Sequence, residues 1–368
     1  MYGAVLGDII GSRFEFDRGG KTKDFELFTK EDCFTDDSVM TAGVAEGLMK
    51  AGKDASEKEI KESLIKSMQR FGRRYPYAGY GARFILWVHS DNPEPYNSWG
   101  NGSAMRVSSV GWLYGSLKRT LEVARWTAEV SHNHPEGIKG AQCTAAVIYL
   151  ARIGMPKEKI KEYVIDEFGY DLHESLDELR RRHEHVESCQ DSLPKALVSF
   201  FEGDSYEDVV RNAVSLGGDT DTLGAIAGAM AEGMYEIPQH IIDEGTGFIP
   251  EDILKVIEKI RTSRILKGSR KELTYKVKEL REQGLSYRKI GEVLGISGQY
   301  VHVIDKPELY DTEEKKQKHR EYKDKRKDEN LAYGKKWRDS NPDYMKEWYQ
   351  ANKDKYIIYK KNREEKLK

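Results

Sequence analysis

Helical spacing of apolar residues, sustained along most of the chain, is the strongest constraint on what this sequence can fold into. Val39, Ala42, Gly43 and Leu48 recur at that spacing, as do Ala145, Val147, Ile148 and Leu150, and Leu223, Ile226, Ala227, Met230 and Met234. Stripes of this period bury one face of a helix, whereas a half-buried strand needs alternation. Convincing two-residue periods are absent. The joints "YPYAGYG", "NSWGNGS", "HNHPEG", "GMP" and "SLGGDTDT" carry the Gly, Pro and Asn that break helices. Together these features predict a compact all-α domain over residues 1–263.

Two further units are expected after it. Residues 264–306 include "ELTYKVKELREQGLSYRKIGEVLGISGQYVHVI", which reads as helix, Gly-containing turn, helix, Gly-Ile-Ser turn, helix. Residues 307–368 are Lys-rich and repeat every eleven residues: Tyr322, Tyr333, Tyr344; Trp337, Trp348, Tyr359; Asn330, Asn341, Asn352. That period keeps like residues on nearly one helix face, and Pro342 marks a fresh helical start. The overall formal charge of -2 conceals an asymmetry. From Arg264 onward 29 Lys and Arg stand against 19 Asp and Glu, a net of about +10, which leaves about -12 for the preceding residues.

Other classes are disfavoured. Cys33, Cys143 and Cys189 are odd in number and lack CxxC spacing, so neither a disulfide framework nor a thiolate zinc site is indicated, and a reducing cytoplasm is the expected location. No apolar run approaches a membrane span, and "MYGAVLGDIIGS" lacks the basic start and long apolar core of a secretory signal. No membrane partner is expected.

The chemistry is concentrated in two short stretches. In "FTDDSVMT", Thr35, Asp36 and Asp37 precede a helix. One carboxylate there is explained by capping, because it accepts the unpaired first-turn N–H groups; the second is redundant. In "SLGGDTDTLGAIAGAMAEGM", Asp219, Asp221 and Thr222 again stand at a helix start. The positive end of a helix disfavours a cation, so extra carboxylates are needed to hold one. If the two clusters meet, Thr35, Asp36, Asp37, Asp219, Asp221 and Thr222 form a hard-oxygen set suited to two Mg2+ or Mn2+ ions. A phosphatase reading of "DTDT" is disfavoured, since that nucleophile needs a buried parallel strand before it. "GNGSAM" offers closely spaced backbone N–H groups at a helix start, a common way to hold a diphosphate, although any Gly-rich turn looks alike. Arg106 reads as a structural salt bridge rather than a phosphate contact. His132 and His134 lack zinc-site spacing, which leaves packing or contact with a bound ligand.

The segments "GAVLGDIIGSRFEF", "TDDSVMT", "GYGARF", "GNGSAMR", "SHNHPEGIKGA" and "GGDTDTLGAIAGA", in this order, resemble those of the ADP-ribosylglycohydrolases, over about residues 1–263. The resemblance implies an all-α orthogonal bundle with a two-metal centre, usually magnesium, in a cleft for ADP-ribose. It implies metal ligation by Thr35, Asp36, Asp37, Asp219, Asp221 and Thr222, and a catalytic place near the metals for Glu15. It also implies substrate contacts from Gly81, from Gly100, Asn101, Gly102, Ser103, Ala104 and Met105, and from His132.

The expected reaction is hydrolysis of an N- or O-glycosidic bond at the distal ribose of ADP-ribose, with carboxylates among Glu15, Asp36 and Asp37 orienting and deprotonating water. The expected partner is an ADP-ribosylated protein or an ADP-ribosyl small molecule. The alternative is a DNA-binding regulator whose hydrolase domain senses ADP-ribose or is inert, since "GLSYRKIGEVLGISGQYVHVI" looks like a helix-turn-helix with Gly295 at the turn. Nucleic acid would then bind through residues 264–368.

Overall fold

The computed structural model describes residues 1–18, 20–182 and 185–262, and beyond them 274, 277–278, 280–282, 284–294 and 298–306. Met1–Asp305 forms one compact unit and Lys306–Lys368 a second. The eleven-residue repeat and Gly295, the expected turn of the helix-turn-helix, lie outside the described residues.

The helices of the first 262 residues are α1 (Tyr2–Ser12), α2 (Asp36–Ala51), α3 (Glu57–Arg74), α4 (Ala82–His89), α5 (Gly102–Met105), α6 (Ser108–Leu113), α7 (Leu117–Glu129) and α8 (Pro135–Arg152). They continue as α9 (Lys157–Phe168), α10 (Leu176–Arg180), α11 (Cys189–Glu202), α12 (Tyr206–Val214), α13 (Thr220–Met234), α14 (Gln239–Thr246) and α15 (Glu251–Thr262). The only β pairing among the described residues is an isolated bridge between Gly100 and Ser188. The fold is all-α, as the apolar spacing predicts.

Local sequence sets the helix ends. In α3 the Ser56 side chain accepts from Glu59 N–H while the Glu59 carboxylate accepts from Ser56 N–H, a reciprocal capping box. Ile60, Leu64, Met68 and Phe71 then bury one stripe of that helix. α8 starts at Pro135, and His134 Nδ1 accepts from Glu136 N–H at 3.1 Å. His134 is therefore a helix cap, the structural of its two expected roles.

The centre of the bundle is α13, which packs against α1, α8, α11 and α12, and whose residues from Thr220 to Ala231 are all buried. A helix buried on every side loses its polar face, which is why this stretch reads as almost wholly apolar. α1 lies antiparallel along it. A Cβ on Gly7 would sit 2.1 Å from the Gly224 carbonyl oxygen, and one on Gly224 would sit 2.3 Å from that of Gly7. Gly3 and Gly228 repeat the relation one turn away, and Gly11 packs on Thr220 in the same manner. Only the absence of side chains allows this approach. The seam has a consequence for the site, because it carries the end of α1 to the start of α13.

After residue 262, helices Tyr287–Leu294 and Gly298–Asp305 bury Ile290 and Val301 with Val277 in a small apolar cluster. Tyr287 donates to Asp305 Oδ2 at 2.7 Å, and its ring meets His302 edge-on at 4.8 Å between centroids.

Candidate active site

The start of α2 answers the puzzle of its two carboxylates. Its N-cap is Thr35, whose hydroxyl accepts from Asp37 N–H at 3.3 Å. The N–H groups of Thr35 and Ser38 are served from α1. Asp8 Oδ2 accepts from Thr35 N–H and Ser38 N–H, each at 3.0 Å, and from the Ser38 hydroxyl, while Asp8 Oδ1 accepts from Thr35 Oγ1 at 2.8 Å. Asp8 is fully buried, and burial lifts its pKa to about 6 against the pull of these donors. Because other residues cap the helix, the carboxylates of Asp36 and Asp37 have no capping role.

Sequence reasoning missed Asp8. The signal was present, since it is the one charged residue of an otherwise apolar α1.

The second cluster behaves alike. Asp219 occupies the N-cap of α13 and makes no capping bond; its Oδ2 instead accepts from Asn101 Nδ2 at 2.6 Å. Thr220 donates to Gly11 O at 2.8 Å, locking the helix start to α1. Gly217 and Gly218, at φ 72° and 78°, turn the chain through left-handed backbone into α13. Gly218 O accepts from Phe16 N–H at 2.9 Å, which fastens the short turn Glu15–Asp17 beside Asp219. Phe16 itself is at φ 60°, a strained backbone for a bulky residue.

The clusters meet. Carboxylate oxygens of Glu15, Asp219 and Asp221 all lie within 4.8 Å of one another. Thr222 donates to Asp37 Oδ2 at 3.2 Å, joining the two helix starts directly, and Thr35 Oγ1 lies 3.5 Å from the same oxygen. Asp37 Oδ1 and Asp221 Oδ1 are buried without a hydrogen-bond partner among the described residues.

Crowding like charges out of water raises the pKa of each. Burial, then Asp8 and Asp219, push Asp36 up to about 8. Burial and Asp219 push Glu15 up to about 7. Asp37 is raised well above the carboxylate range by burial, Asp8 and Asp36, and Asp221 by burial, Asp219 and Asp37. Buried carboxylates without an ion pair, two of them with an orphaned oxygen, fit a divalent cation better than they fit one another.

Of the expected substrate residues, Asn101 reaches this cluster directly, through Asp219. Asp36 N–H donates to Ala78 O at 2.7 Å, and a Cβ on Gly79 would sit 3.6 Å from Asp36 Oδ1, so the "GYG" joint borders the acids. Gly81 is exposed at the N-cap of α4. The Gly100–Met105 loop is pinned by Asn101 N–H to Glu187 O (2.8 Å) and Cys189 N–H to Trp99 O (2.9 Å). Ser103 is buried and donates to Gly137 O at 2.7 Å; the side chains of Ala104 and Met105 point into the core. Only backbone remains at these three positions for a ligand. His132 is buried, with Nε2 lying 3.1 Å from where a Gly102 Cβ would be.

Arg106 departs from expectation. It makes no ion pair among the described residues; its guanidinium donates to Thr127 O (3.0 Å) and Ser131 Oγ (2.8 Å). Among the described residues no carboxylate comes within ion-pair distance of it, although the charge of Asp36 reaches it from farther off.

Comparisons with known proteins agree with this geometry. The family model for ADP-ribosylglycohydrolase matches residues 1–270. ADP-ribosylhydrolase ARH3 of Mus musculus is 26% identical over 339 residues, covering 69% of this chain and 88% of its own length. ADP-ribosylarginine hydrolase Tri1 of Pseudomonas putida is 24% identical, with 70% and 72% covered. A solved structure described as an ADP-ribosylglycohydrolase-related protein complex superposes with a TM-score of 0.50 at 25% identity, covering 74% of this chain and 95% of that one. With its acids gathered at two helix starts and most of its length matched, the chain belongs to the ADP-ribosylglycohydrolase family of glycosidic-bond hydrolases.

Proposed function

We propose that the chain hydrolyses the glycosidic bond between the distal ribose of ADP-ribose and an acceptor, a protein side chain or a small molecule. Thr35, Asp36, Asp37, Asp219, Asp221 and Thr222 would hold two divalent cations, Mg2+ or Mn2+. What supports this reading is the pair of orphaned buried oxygens, Asp221 Oδ1 in the cluster with Glu15 and Asp219, and Asp37 Oδ1 on the residue that Thr222 joins to it. A bound divalent cation lowers the pKa of water and polarises sugar hydroxyls.

The chain's own residues supply the rest. Glu15, with a pKa near 7, is matched to accept a proton from water at neutral pH and to return it to the leaving group. Carboxylates around the sugar favour the positive charge that builds as the bond breaks. The Gly100–Met105 loop and the joint at Gly81 would hold diphosphate and ribose through their backbone, with His132 alongside. The reading as an inert sensor is weaker, because every expected ligand position carries a competent oxygen donor.

The test is release of ADP-ribose from arginine- and serine-linked substrates with Mg2+ and with chelator. Asp221→Asn keeps the size of the side chain while removing ligand charge. It should cut turnover by about 100-fold or more with the fold intact, and unchanged turnover would sink the metal assignment.

Residues 264–368 would contribute weak nucleic-acid binding. The support is their positive charge together with the helices Tyr287–Leu294 and Gly298–Asp305 packed around Val277, Ile290 and Val301.

A further inference from the structure

Arg106 is 1% exposed and its Nε has no partner among the described residues. Burial lowers its pKa only to about 10, so it stays charged at neutral pH. A buried cation held by one carbonyl, one hydroxyl and the face of Phe84 at 5.6 Å is costly. One of its two bonds satisfies a carbonyl in the last turn of α7; the other goes to a side chain beyond that helix.

What it holds is the hydroxyl next to His132. Arg106 donates to Ser131 Oγ at 2.8 Å, and the same oxygen lies 2.8 Å from His132 Nδ1. Burial and the Arg106 charge both keep the His132 ring neutral, so it carries one proton. If that proton sat on Nδ1, Ser131 Oγ would accept twice, and its own hydrogen would have no acceptor among the described residues. If Nδ1 is bare, the hydroxyl donates to it, and both the Ser131 hydrogen and His132 Nδ1 are satisfied. The ring proton then sits on Nε2.

His132 Nε2 makes no hydrogen bond within the protein among the described residues. It faces the glycine loop, 3.1 Å from the position of a Gly102 Cβ and 3.6 Å from that of Gly100. Phe84 and Tyr96 flank the ring at 6.3 and 5.7 Å between centroids, which restrains its rotation.

We propose that Arg106 and Ser131 are positioning residues that hold His132 as its Nε2–H tautomer, presenting one fixed donor at the Gly100–Gly102 loop to an oxygen acceptor of the bound substrate. The substrate's identity rests on the ADP-ribosyl reading above; the tautomer does not. Hydrogen bonding at Nδ1 strengthens the opposite N–H as a donor, which suits a phosphate or ribose oxygen and disfavours a cationic group at that point.

Nitrogen-15 spectra of histidine-labelled protein decide the tautomer without any substrate. His132 is assigned among the nine histidines by its disappearance in His132→Gln. The expected result is an unprotonated Nδ1 and a protonated Nε2, unchanged between pH 6 and 8. A proton on Nδ1 in the wild-type protein overturns the proposal.

Ser131→Ala should give a mixture of tautomers and about 10-fold weaker binding of ADP-ribose by calorimetry, roughly one hydrogen bond. Turnover at saturation should change less than KM, and Ser131→Thr, which keeps the hydroxyl, should restore the wild-type spectrum. A Ser131→Ala protein with the wild-type tautomer and affinity also overturns the relay. Absence of ADP-ribose binding in the wild-type protein, alongside the expected tautomer, would instead count against the proposed function while the positioning relay stands.

Discussion

Stability without metal should fall as pH rises across neutrality, the opposite of the usual behaviour of a protein rich in paired carboxylates. The perturbation is removal of divalent cations by chelation, followed by thermal melts between pH 5 and 8. In the folded chain Asp36 is raised to about 8 and Glu15 to about 7, and Asp37 and Asp221 are also held well above the carboxylate range. Unfolded, each titrates near 4. A raised folded pKa means that the native state holds protons which the unfolded state releases, so stability is complete below about pH 4 and is lost as pH climbs through the folded values. Each such carboxyl contributes up to about 1.4 kcal/mol per pH unit, and Asp36, Asp37 and Asp221 together set a ceiling of about 4. Repulsion within the cluster makes the protons leave one after another, so a third of the ceiling, about 1 kcal/mol or a few °C per pH unit, is the expected slope. Saturating Mg2+ should raise Tm by an increment that grows with pH, because the cation replaces the missing protons. A metal-free Tm that is flat or rising from pH 5 to 8, or a Mg2+ increment independent of pH, would refute the picture of a crowded acid cluster.

Other consequences are open to direct measurement. Glu15→Gln should lower kcat by about 100-fold or more while leaving ADP-ribose affinity within a few fold, since product binding needs no proton acceptor; equal losses in calorimetry and kinetics would assign Glu15 to binding. Gly7→Ala places a methyl 2.1 Å from the Gly224 carbonyl oxygen, and should cost about 1–3 kcal/mol in denaturant melts while weakening Mg2+ binding, because the seam fixes the two acid clusters relative to each other. Wild-type stability in that variant would show that the helices part freely. The full chain should shift duplex DNA weakly and with steep salt dependence, whereas truncation after Thr262 should abolish the shift and leave ADP-ribose release intact. Equal shifts by both proteins, or none by either, remove the nucleic-acid role.

The all-α fold was legible because helical period is a local property. Val39 to Leu48 and Leu223 to Met234 show their buried stripes whatever they pack against. The gathering of acids was legible in the same way, since two Thr/Asp clusters at helix starts exceed what capping needs. Glu15 and His132 carried no such local excess, and only the likeness to a family singled them out.

What decides their roles is long-range. The Gly3, Gly7, Gly224 and Gly228 seam brings residues from opposite ends of the domain into backbone contact, and no local pattern says that those two helices choose each other. Asp8 takes over the capping of α2 from a different helix, which leaves the carboxylates of Asp36 and Asp37 without a capping role. Arg106 finds a hydroxyl where the sequence suggested a carboxylate, because its partners come from α7 and the turn after it. The sequence alone determines which segments are helices and which oxygens are in excess. Only tertiary packing decides which of those oxygens are already satisfied, because a hydrogen bond is made by the atoms that packing brings within reach, however far apart they lie in the chain.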